Sequence, residues 1–379
     1  MSRYDVIISG AGPAGSSLAY LLARSGLAVL VLEKELMPRE KPCGGGVASK
    51  VASLLNFPWQ EVVEDTVQTV VLNYQGRGGV TVHQDTPVAY MVNRSNFDHL
   101  LAKQARAAGA MVIEGAAVKA VSMESGGVTV TAGDDTYLGL IFVGADGVNG
   151  ASARLLGLQS ARGAGPAVEV ELECPPELAE QSRGVIKLDC GATPWGYGWI
   201  FPKKGRLSTG VGAFTSGSKG IKQNLNDLLE REGISSLRVI SARGYPIPVV
   251  GWQKRKIYRD SSILLGDAAG LVDPFSGEGI YYAIKSAHLA AEAILENRGR
   301  PEHAPSFYQE MVERQITSEL ELAHKLAKIF YTFTKATFHL IERRPVIAER
   351  LYQIVSGNKK YSDIKSDAFE ELRAITWGH

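Results

Sequence analysis

Three groups of residues carry chemistry by their type and spacing. The first is Gly10-Ala11-Gly12-Pro13-Ala14-Gly15, which follows the apolar run Tyr4 to Ser9 and opens a small-residue helical pattern, Ser16 to Ser25. A second apolar run, Ala28 to Leu32, ends on Glu33. Gly10 permits a tight turn, Gly12 lets a phosphate approach the backbone, and Gly15 lets helix and strand pack closely. The helix N-terminus offers free N–H groups and a partial positive charge to a pyrophosphate, and Glu33 stands where it can accept both ribose hydroxyls of an adenosine. Strand, glycine turn, helix, strand and acid in this order predict a dinucleotide site. The second group is Lys41-Pro42-Cys43-Gly44-Gly45-Gly46-Val47. Three glycines after a cysteine either let the backbone pass close to a flat ligand or make a flexible loop. In the third group, Tyr197, Trp199 and Phe201 alternate along a strand and so share one face. That face is either the roof of an apolar pocket or a core stripe between sheet and helix. Gly210-Val211-Gly212 sits inside a sheet pattern without a following helix or acid, so it reads as a small-residue strand, not a second dinucleotide site. No metal-ligating set is expected.

The elements that must position these groups fall into two textures. Strand–helix–strand order opens the chain, continues through the helix beginning near Arg94, and passes strand-like runs at Met111–Glu114, Ala117–Ser122, Val128–Thr131 and Tyr137–Val143. It returns at Ser261–Leu265, followed by Gly266-Asp267-Ala268-Ala269-Gly270 and a small-residue helix from Tyr281 to about Asn297. Between these lie short alternating runs at Val67–Asn73 and Val80–His83. The block from Val168 to Pro248 continues them with runs at Val168–Glu173, Val185–Leu188, Tyr197–Phe201 and Leu207–Phe214, broken by a helix from Lys222 to Glu232. The fold class expected is α/β: a discontinuous Rossmann-like cofactor-binding domain (1–66, 91–165 and 255–297), an inserted antiparallel β-sheet substrate domain (67–90 and 166–254), and a C-terminal helical region (298–379).

Composition narrows the function classes. The chain has 379 residues, 41 Lys+Arg against 40 Asp+Glu, and 45% apolar residues, close to an average soluble globular protein. The near-neutral balance gives no support for nucleic-acid binding, which needs a local excess of cations against phosphate. No run approaches the roughly 18 consecutive apolar residues of a membrane span, and the N-terminal run lacks a signal-peptide pattern, so a cytoplasmic protein is expected. Cys43, Cys174 and Cys190 are too few in so long a chain for a disulfide framework.

Taken together, the first glycine crossover, the Gly144-Ala145-Asp146-Gly147 segment and the late Gly266–Gly270 unit resemble the p-hydroxybenzoate-hydroxylase-type FAD fold. More narrowly, the chain is similar to the geranylgeranyl reductase family. That likeness rests on Lys41–Gly46, on Pro194-x-x-Tyr197-x-Trp199-x-Phe201-Pro202-Lys203, and on Asp273-Pro274-Phe275-Ser276-Gly277-Glu278-Gly279-Ile280-Tyr281-Tyr282-Ala283. It covers about the first three-quarters of the chain. One departure stands out: the family pattern has a Ser four residues after the Asp of Asp-Gly and an Arg three further on, where this chain has Gly150 and Ala153, with Ser152 and Arg154 out of step.

The resemblance implies FAD contacts from Ala14, Glu33, Gly44, Gly45, Val47, Arg94, Val118, Asp267, Gly279 and Ile280. It also implies reduction of isolated C=C bonds in a long isoprenoid chain. An isolated alkene has no carbonyl to stabilise a carbanion, so hydride from reduced flavin must be paired with a proton delivered to the other carbon. This asks for a dry apolar channel and one well-placed acid. Cys43 is the candidate group beside the isoalloxazine, as proton donor or redox-sensitive gate, against the alternative of a small apolar spacer. Tyr197, Trp199 and Phe201 are the candidate substrate contacts. Expected partners are a long-chain prenyl lipid and an external electron donor, NADPH or ferredoxin, acting on a monomer. In the segment Leu326 to Ile341, the apolar residues Leu326, Ile329, Phe330, Phe333, Thr337, Leu340 and Ile341 share one helical face, with Lys328, Lys335 and His339 opposite. Such a helix either packs on the domain or lies peripherally on an anionic membrane. Two other functions compete: an FAD monooxygenase of an aromatic or polyketide substrate, and a non-catalytic flavoprotein that binds a prenyl lipid.

Overall fold

The computed structural model describes residues 3–124, 126–158, 165–250 and 253–364. The expected C-terminal helical region is therefore described to 364, and 365–379 lie outside the described residues. The chain is a mixed α/β fold with a Rossmann-like sheet, an inserted sheet and C-terminal helices. At its centre, Arg3–Ser9 pairs in parallel with Asp135–Gly144 on one side and Val29–Glu33 on the other, and Met111–Glu114 and Ser262–Leu264 extend the parallel ladder outward. Val29–Glu33 is buried along its whole length, as a strand covered on both faces must be. Helix Pro13–Arg24 packs between helices Arg94–Ala107 and Ile280–Glu296. Ile7, Ile8, Leu18, Leu30 and Phe142 fill the core beneath it.

The inserted sheet has seven strands in the order Val239–Ile247, Gly165–Glu173, Arg206–Ala213, Gly196–Lys203, Val185–Asp189, Thr69–Tyr74, Arg77–His83. Every pairing is antiparallel except Val185–Asp189 with Thr69–Tyr74, which run parallel. Strand alternation sorts its faces. Val170, Leu172, Ile200 and Val211 pack with Leu225 and Leu228 of helix Ile221–Arg231, so Glu169, Glu171, Trp199 and Phe201 turn to the opposite face.

Three details differ from the sequence expectation. The run expected as one strand at Val67–Asn73 is two: Val63–Val67 joins a small sheet with Gly46–Ala48 and Ala89–Val92, while Thr69–Tyr74 joins the large one. The switch occurs at Gln68, where the N–H groups of Gln68 and Thr69 both donate to the Gly184 carbonyl at 3.1 Å. Val239–Ile247 is a strand the pattern did not announce; it is an edge strand, carries Pro246, and is largely exposed, so it lacks the clean alternation of its neighbours.

The segment from Leu326 to Ile341 is not one helix. It breaks at Phe333 into Ser318–Thr332 and Thr334–Arg343. Phe330, Tyr331, Phe338 and Ile341 bury themselves against Val70, Leu72, Val80 and Val82 of the sheet, whereas Phe333, at the break, is 46% exposed. Most of the apolar face is thus used in packing on the domain. Among the described residues no helix is long and apolar enough to cross a membrane.

Candidate active site

A cavity of about 610 Å³ opens between the carboxyl ends of the parallel strands and the cavity-facing side of the inserted sheet. Ser9, Glu33, Ala145 and Leu265 form its floor, where an open parallel sheet receives its ligand.

At the first crossover the glycines divide by what surrounds them. A Cβ on Gly15 would lie 1.9 Å from the Gly10 carbonyl oxygen, and one on Gly10 would lie 2.6 Å from that of Ala145. These two positions are closed by the fold itself. A Cβ on Gly12 would meet only an Arg39 nitrogen, at 3.6 Å, and Gly12 lines the cavity. The fold leaves Gly12 free to be larger; only a ligand would require it small. Helix Pro13–Arg24 starts there with no side-chain cap and no acid in its first turn, so its first N–H groups and positive dipole end face the cavity beside Ala14. Gly15 itself is off the cavity wall. Glu33, 3% exposed, accepts the Ala11 N–H on Oε2 at 2.7 Å and the Glu35 N–H on Oε1 at 3.1 Å. Val118 lines the cavity near this end.

A buried charge network connects this crossover to the cysteine loop. Arg39 lies 3.7 Å from Glu33 and 3.2 Å from Asp98. Arg94 donates from Nε and Nη2 to the two oxygens of Asp98, both at 2.9 Å. Burial works against the Arg94 charge, but Asp98 and then Cys43 outweigh it and push Arg94 up. Part of the Arg94 fork is thus committed to its own helix. Lys41 donates to the Tyr245 hydroxyl, and burial, reinforced by Arg94 and Arg39 and opposed by Asp267, brings it down to about 8.

The Cys43 loop is held from above and below. Its N–H donates to Glu169 Oε1 at 2.8 Å, and the Gly45 N–H donates to Cys43 Sγ at 3.5 Å. Gly45 has φ +78°, and a Cβ there would lie 2.2 Å from the Val92 carbonyl. A Cβ on Gly44 would lie 3.0 Å from the Phe201 ring and 3.1 Å from Trp199 Nε1. Val47, expected at the cofactor, is instead fully buried in the core with Val51, Trp59 and Phe97 and does not line the cavity. It is the third residue after Gly44, and the chain has by then turned into the strand Gly46–Ala48.

The late crossover supplies the opposite wall. Asp267 lines the cavity, and burial pushes its carboxyl up against the pull of Lys41 and Arg94. A Cβ on Gly279 would lie 3.3 Å from Asp267 Oδ1. Helix Ile280–Glu296 begins here, with Gly279 and Ile280 on the cavity wall, although Glu278 already accepts the Tyr281 N–H at 2.9 Å. The Asp273-Pro274-Phe275-Ser276 loop is tied by Asp273, which accepts the Phe275 and Ser276 N–H groups and the Tyr361 hydroxyl.

Tyr197, Trp199 and Phe201 all line the cavity from strand Gly196–Lys203, with ring centroids 6.4 Å and 6.2 Å apart in sequence. Phe214 adds an edge contact to Tyr197 at 5.6 Å, and Ile186 and Leu188 continue the apolar wall. The Tyr197 hydroxyl donates to the Ser276 carbonyl, which joins roof to late crossover. Trp199 has room because position 210 is glycine, where a Cβ would lie 2.2 Å from the indole ring. The small residues of Gly210-Val211-Gly212 therefore serve the roof.

The serine missing from its expected offset after Asp146 is supplied by a neighbour. Ser152 donates to Asp146 Oδ2 from both N–H (2.9 Å) and Oγ (2.8 Å), while a Cβ at Gly150 would collide with the same carboxylate. Sequence reasoning missed Arg39, Asp98, Glu169, Glu171 and the role of Lys203. Only Lys203 carried a signal, inside the Tyr-x-Trp-x-Phe-Pro-Lys segment.

These residues fit FAD: an uncapped helix N-terminus and an unfilled Gly12 position for a pyrophosphate, Glu33 for a ribose, Asp267 for a polyol hydroxyl, and cavity space beneath an aromatic roof. Comparison with known proteins agrees. Residues 3–174 match the FAD binding domain family. The chain is 33% identical to an uncharacterized protein of Methanosarcina barkeri over 90% of this chain and 87% of that one. It is 30% identical to a geranylgeranyl diphosphate reductase of Rhodobacter capsulatus, covering 77% of this chain and 75% of the relative. A crystal structure of a geranylgeranyl bacteriochlorophyll reductase-like protein from Thermoplasma acidophilum superposes with a TM-score of 0.81 at 21% identity, covering 100% of this chain and 98% of that one.

Proposed function

We propose, from the premise that the chain belongs to the geranylgeranyl reductase family of FAD-dependent oxidoreductases, that it saturates isolated C=C bonds of a long isoprenoid chain. The observation that carries the substrate class is the roof: Tyr197, Trp199, Phe201, Phe214, Ile186 and Leu188 make an apolar wall directly above the Cys43 loop. Aromatic and branched side chains of this kind give large contact area to a hydrocarbon and keep water away from it. The name of the Rhodobacter capsulatus relative points to the same chemistry.

Bound FAD, once reduced, supplies a hydride. The chain's own residues supply the rest. The first glycine crossover binds and orients the cofactor through main-chain N–H groups. The roof excludes water, so that a proton offered within the cavity reaches carbon instead of exchanging with solvent. Cys43 holds that proton on Sγ, where the Gly45 N–H fixes the position of the sulfur. With a single dinucleotide fingerprint in the chain, the electron donor is external, NADPH or ferredoxin, and docks transiently. The working unit is a monomer in the cytoplasm that meets prenyl lipids at the membrane surface, and the inserted sheet (67–90 and 166–254) acts as the substrate domain.

Anaerobic stopped-flow tests this reading. The dithionite-reduced holoprotein is mixed with a geranylgeranyl lipid, and return of the oxidised flavin spectrum within seconds is expected. Reoxidation by oxygen alone, with oxygen incorporated into an aromatic substrate, would replace the reading with a monooxygenase. A flavin that no donor reduces would replace it with a lipid-binding flavoprotein.

A further inference from the structure

We propose that Glu169 supplies the proton the reaction consumes, passing it to Cys43 from a polar file that runs through the inserted sheet to the surface. The inference rests on the prenyl-reductase reading above.

Strand Gly165–Glu173 contains Val168-Glu169-Val170-Glu171-Leu172-Glu173, a pattern that ordinarily marks a strand with one face in water. Here Val170 and Leu172 enter the core against helix Ile221–Arg231, and the acidic face meets the cavity and the cysteine loop. Glu169 lines the cavity and holds the Cys43 N–H at 2.8 Å. Two residues on, Glu171 binds Lys203 Nζ at 2.6 Å, with the Lys203 side chain 3% exposed. Lys203 Nζ in turn lies 3.1 Å from where a Cβ would stand on Gly45, whose N–H points at Cys43 Sγ. Carboxyl, ammonium and thiol therefore converge on one loop.

The file continues outward. Glu171 Oε2 faces Arg206 Nε at 3.9 Å, and Arg206 Nη2 binds Glu64 Oε1 at 3.1 Å; the Arg206 side chain is 26% exposed. Glu171 Oε2, Arg206 Nε and Glu64 Oε2 are all buried without a hydrogen-bond partner among the described residues. Buried polar atoms that stand just beyond contact with one another are where bridging water resides, and such water carries protons between them.

The Cys43 S–H bond breaks and a C–H bond forms at the alkene carbon opposite the one that receives hydride. The thiolate then takes the proton of the Glu169 carboxyl, restoring S–H and leaving a carboxylate, which water recharges along Lys203, Glu171, Arg206 and Glu64. One proton is drawn from solvent for each double bond, and no electrons pass along the file. Burial pushes the Glu169 carboxyl up, which lets it carry a proton nearer neutrality; the Cys43 N–H and Lys203 oppose this, Glu171 adds to it, and Arg94 opposes it. Arg243 is its cross-strand neighbour, and Glu173, at the end of the same face, pairs with Arg238.

The test uses FAD-loaded wild type, Glu169→Gln, Glu169→Asp and Lys203→Met. Iodoacetamide alkylation of Cys43 is followed against pH, Cys174 and Cys190 being buried, alongside prenyl reduction with the flavin kept reduced by dithionite. Glu169→Gln is expected to keep the flavin spectrum, lose roughly 100-fold in turnover, and lose the alkylation step that follows Glu169 ionisation. Glu169→Asp recovers part of the turnover, and Lys203→Met, one step further along the file from Cys43, shifts the pH–rate profile with the spectrum intact. An alkylation profile and a pH–rate profile unchanged in both Glu169→Gln and Lys203→Met would overturn the proposal. If wild type reduces no prenyl chain but its alkylation profile still depends on Glu169, the substrate reading falls and the proton link stands.

Discussion

The glycine crossover at Gly10–Gly15 presents chiefly main chain to the cavity, whereas the roof presents side chains. In the crossover, Gly10 and Gly15 touch the fold at distances no Cβ survives, Gly12 faces open cavity, and Glu33 is fixed by a main-chain N–H. In the roof, Tyr197, Trp199 and Phe201 are placed by strand pairing, and Glu169 reaches the Cys43 loop from a different sheet. The first arrangement suits an invariant ligand, since main-chain groups do not change with the side chains around them. On the function proposed above, the second can be altered residue by residue to change which chain it receives while the first keeps its cofactor.

That division can be broken or sharpened by substitution, and the largest effect belongs to Gly15. Gly15→Ala puts a methyl 1.9 Å from the Gly10 carbonyl, and overpacking against backbone that cannot yield costs about 3 kcal/mol, the upper end for such changes. Little folded, yellow protein should be recovered, read from thermal unfolding and the flavin-to-protein absorbance ratio. Gly12→Ala, three residues earlier, should leave thermal stability within about 0.5 kcal/mol yet weaken FAD binding at least ten-fold by titration. If both variants behave alike, the separation of fold-closed from ligand-facing glycines is wrong. Glu33→Gln keeps an acceptor for Ala11 but removes the charge, and an affinity loss of roughly 10-fold is expected. Trp199→Phe should leave FAD affinity unchanged and raise KM several-fold for long prenyl chains but little for short ones. An equal effect on both lengths would remove the indole from the substrate wall.

The smallest effect is at Lys41. Its folded value, about 8 against 10.5 in the unfolded chain, means that the unfolded state binds the proton more tightly. Between those values the unfolded chain carries more protons, so stability rises with pH across that window. Melting of cofactor-free wild type should therefore gain on Lys41→Met from pH 8 to 10.5, and a constant gap would contradict the assignment.

The legible part of the molecule follows the same division. Strand, glycine turn, helix and acid lie within about thirty residues, and each serves a local geometric need, so their spacing announces them. Tyr197, Trp199 and Phe201 announce a shared face in the same way, though not which of two faces it is. Glu169 and Glu171 were hidden because alternating valine and glutamate looks identical whether the acids meet water or a neighbouring loop; only the packing of Val170 and Leu172 on a distant helix decides. The split at Gln68 depends on the Gly184 carbonyl, more than a hundred residues away. Phe333 fits the apolar periodicity of its segment, yet the chain turns there so that two shorter helices can each reach the sheet. Periodicity reports which residues prefer burial, and it is silent on where a helix ends.

One measurement bears most directly on the whole account: anaerobic incubation of the photoreduced holoprotein with extracted prenyl lipids, followed by mass spectrometry of the lipids. Products heavier than their precursors by the mass of two hydrogen atoms, or multiples of it, are expected, with one flavin reoxidised per double bond lost. Lipids of unchanged mass, recovered beside flavin that stays reduced, would contradict it.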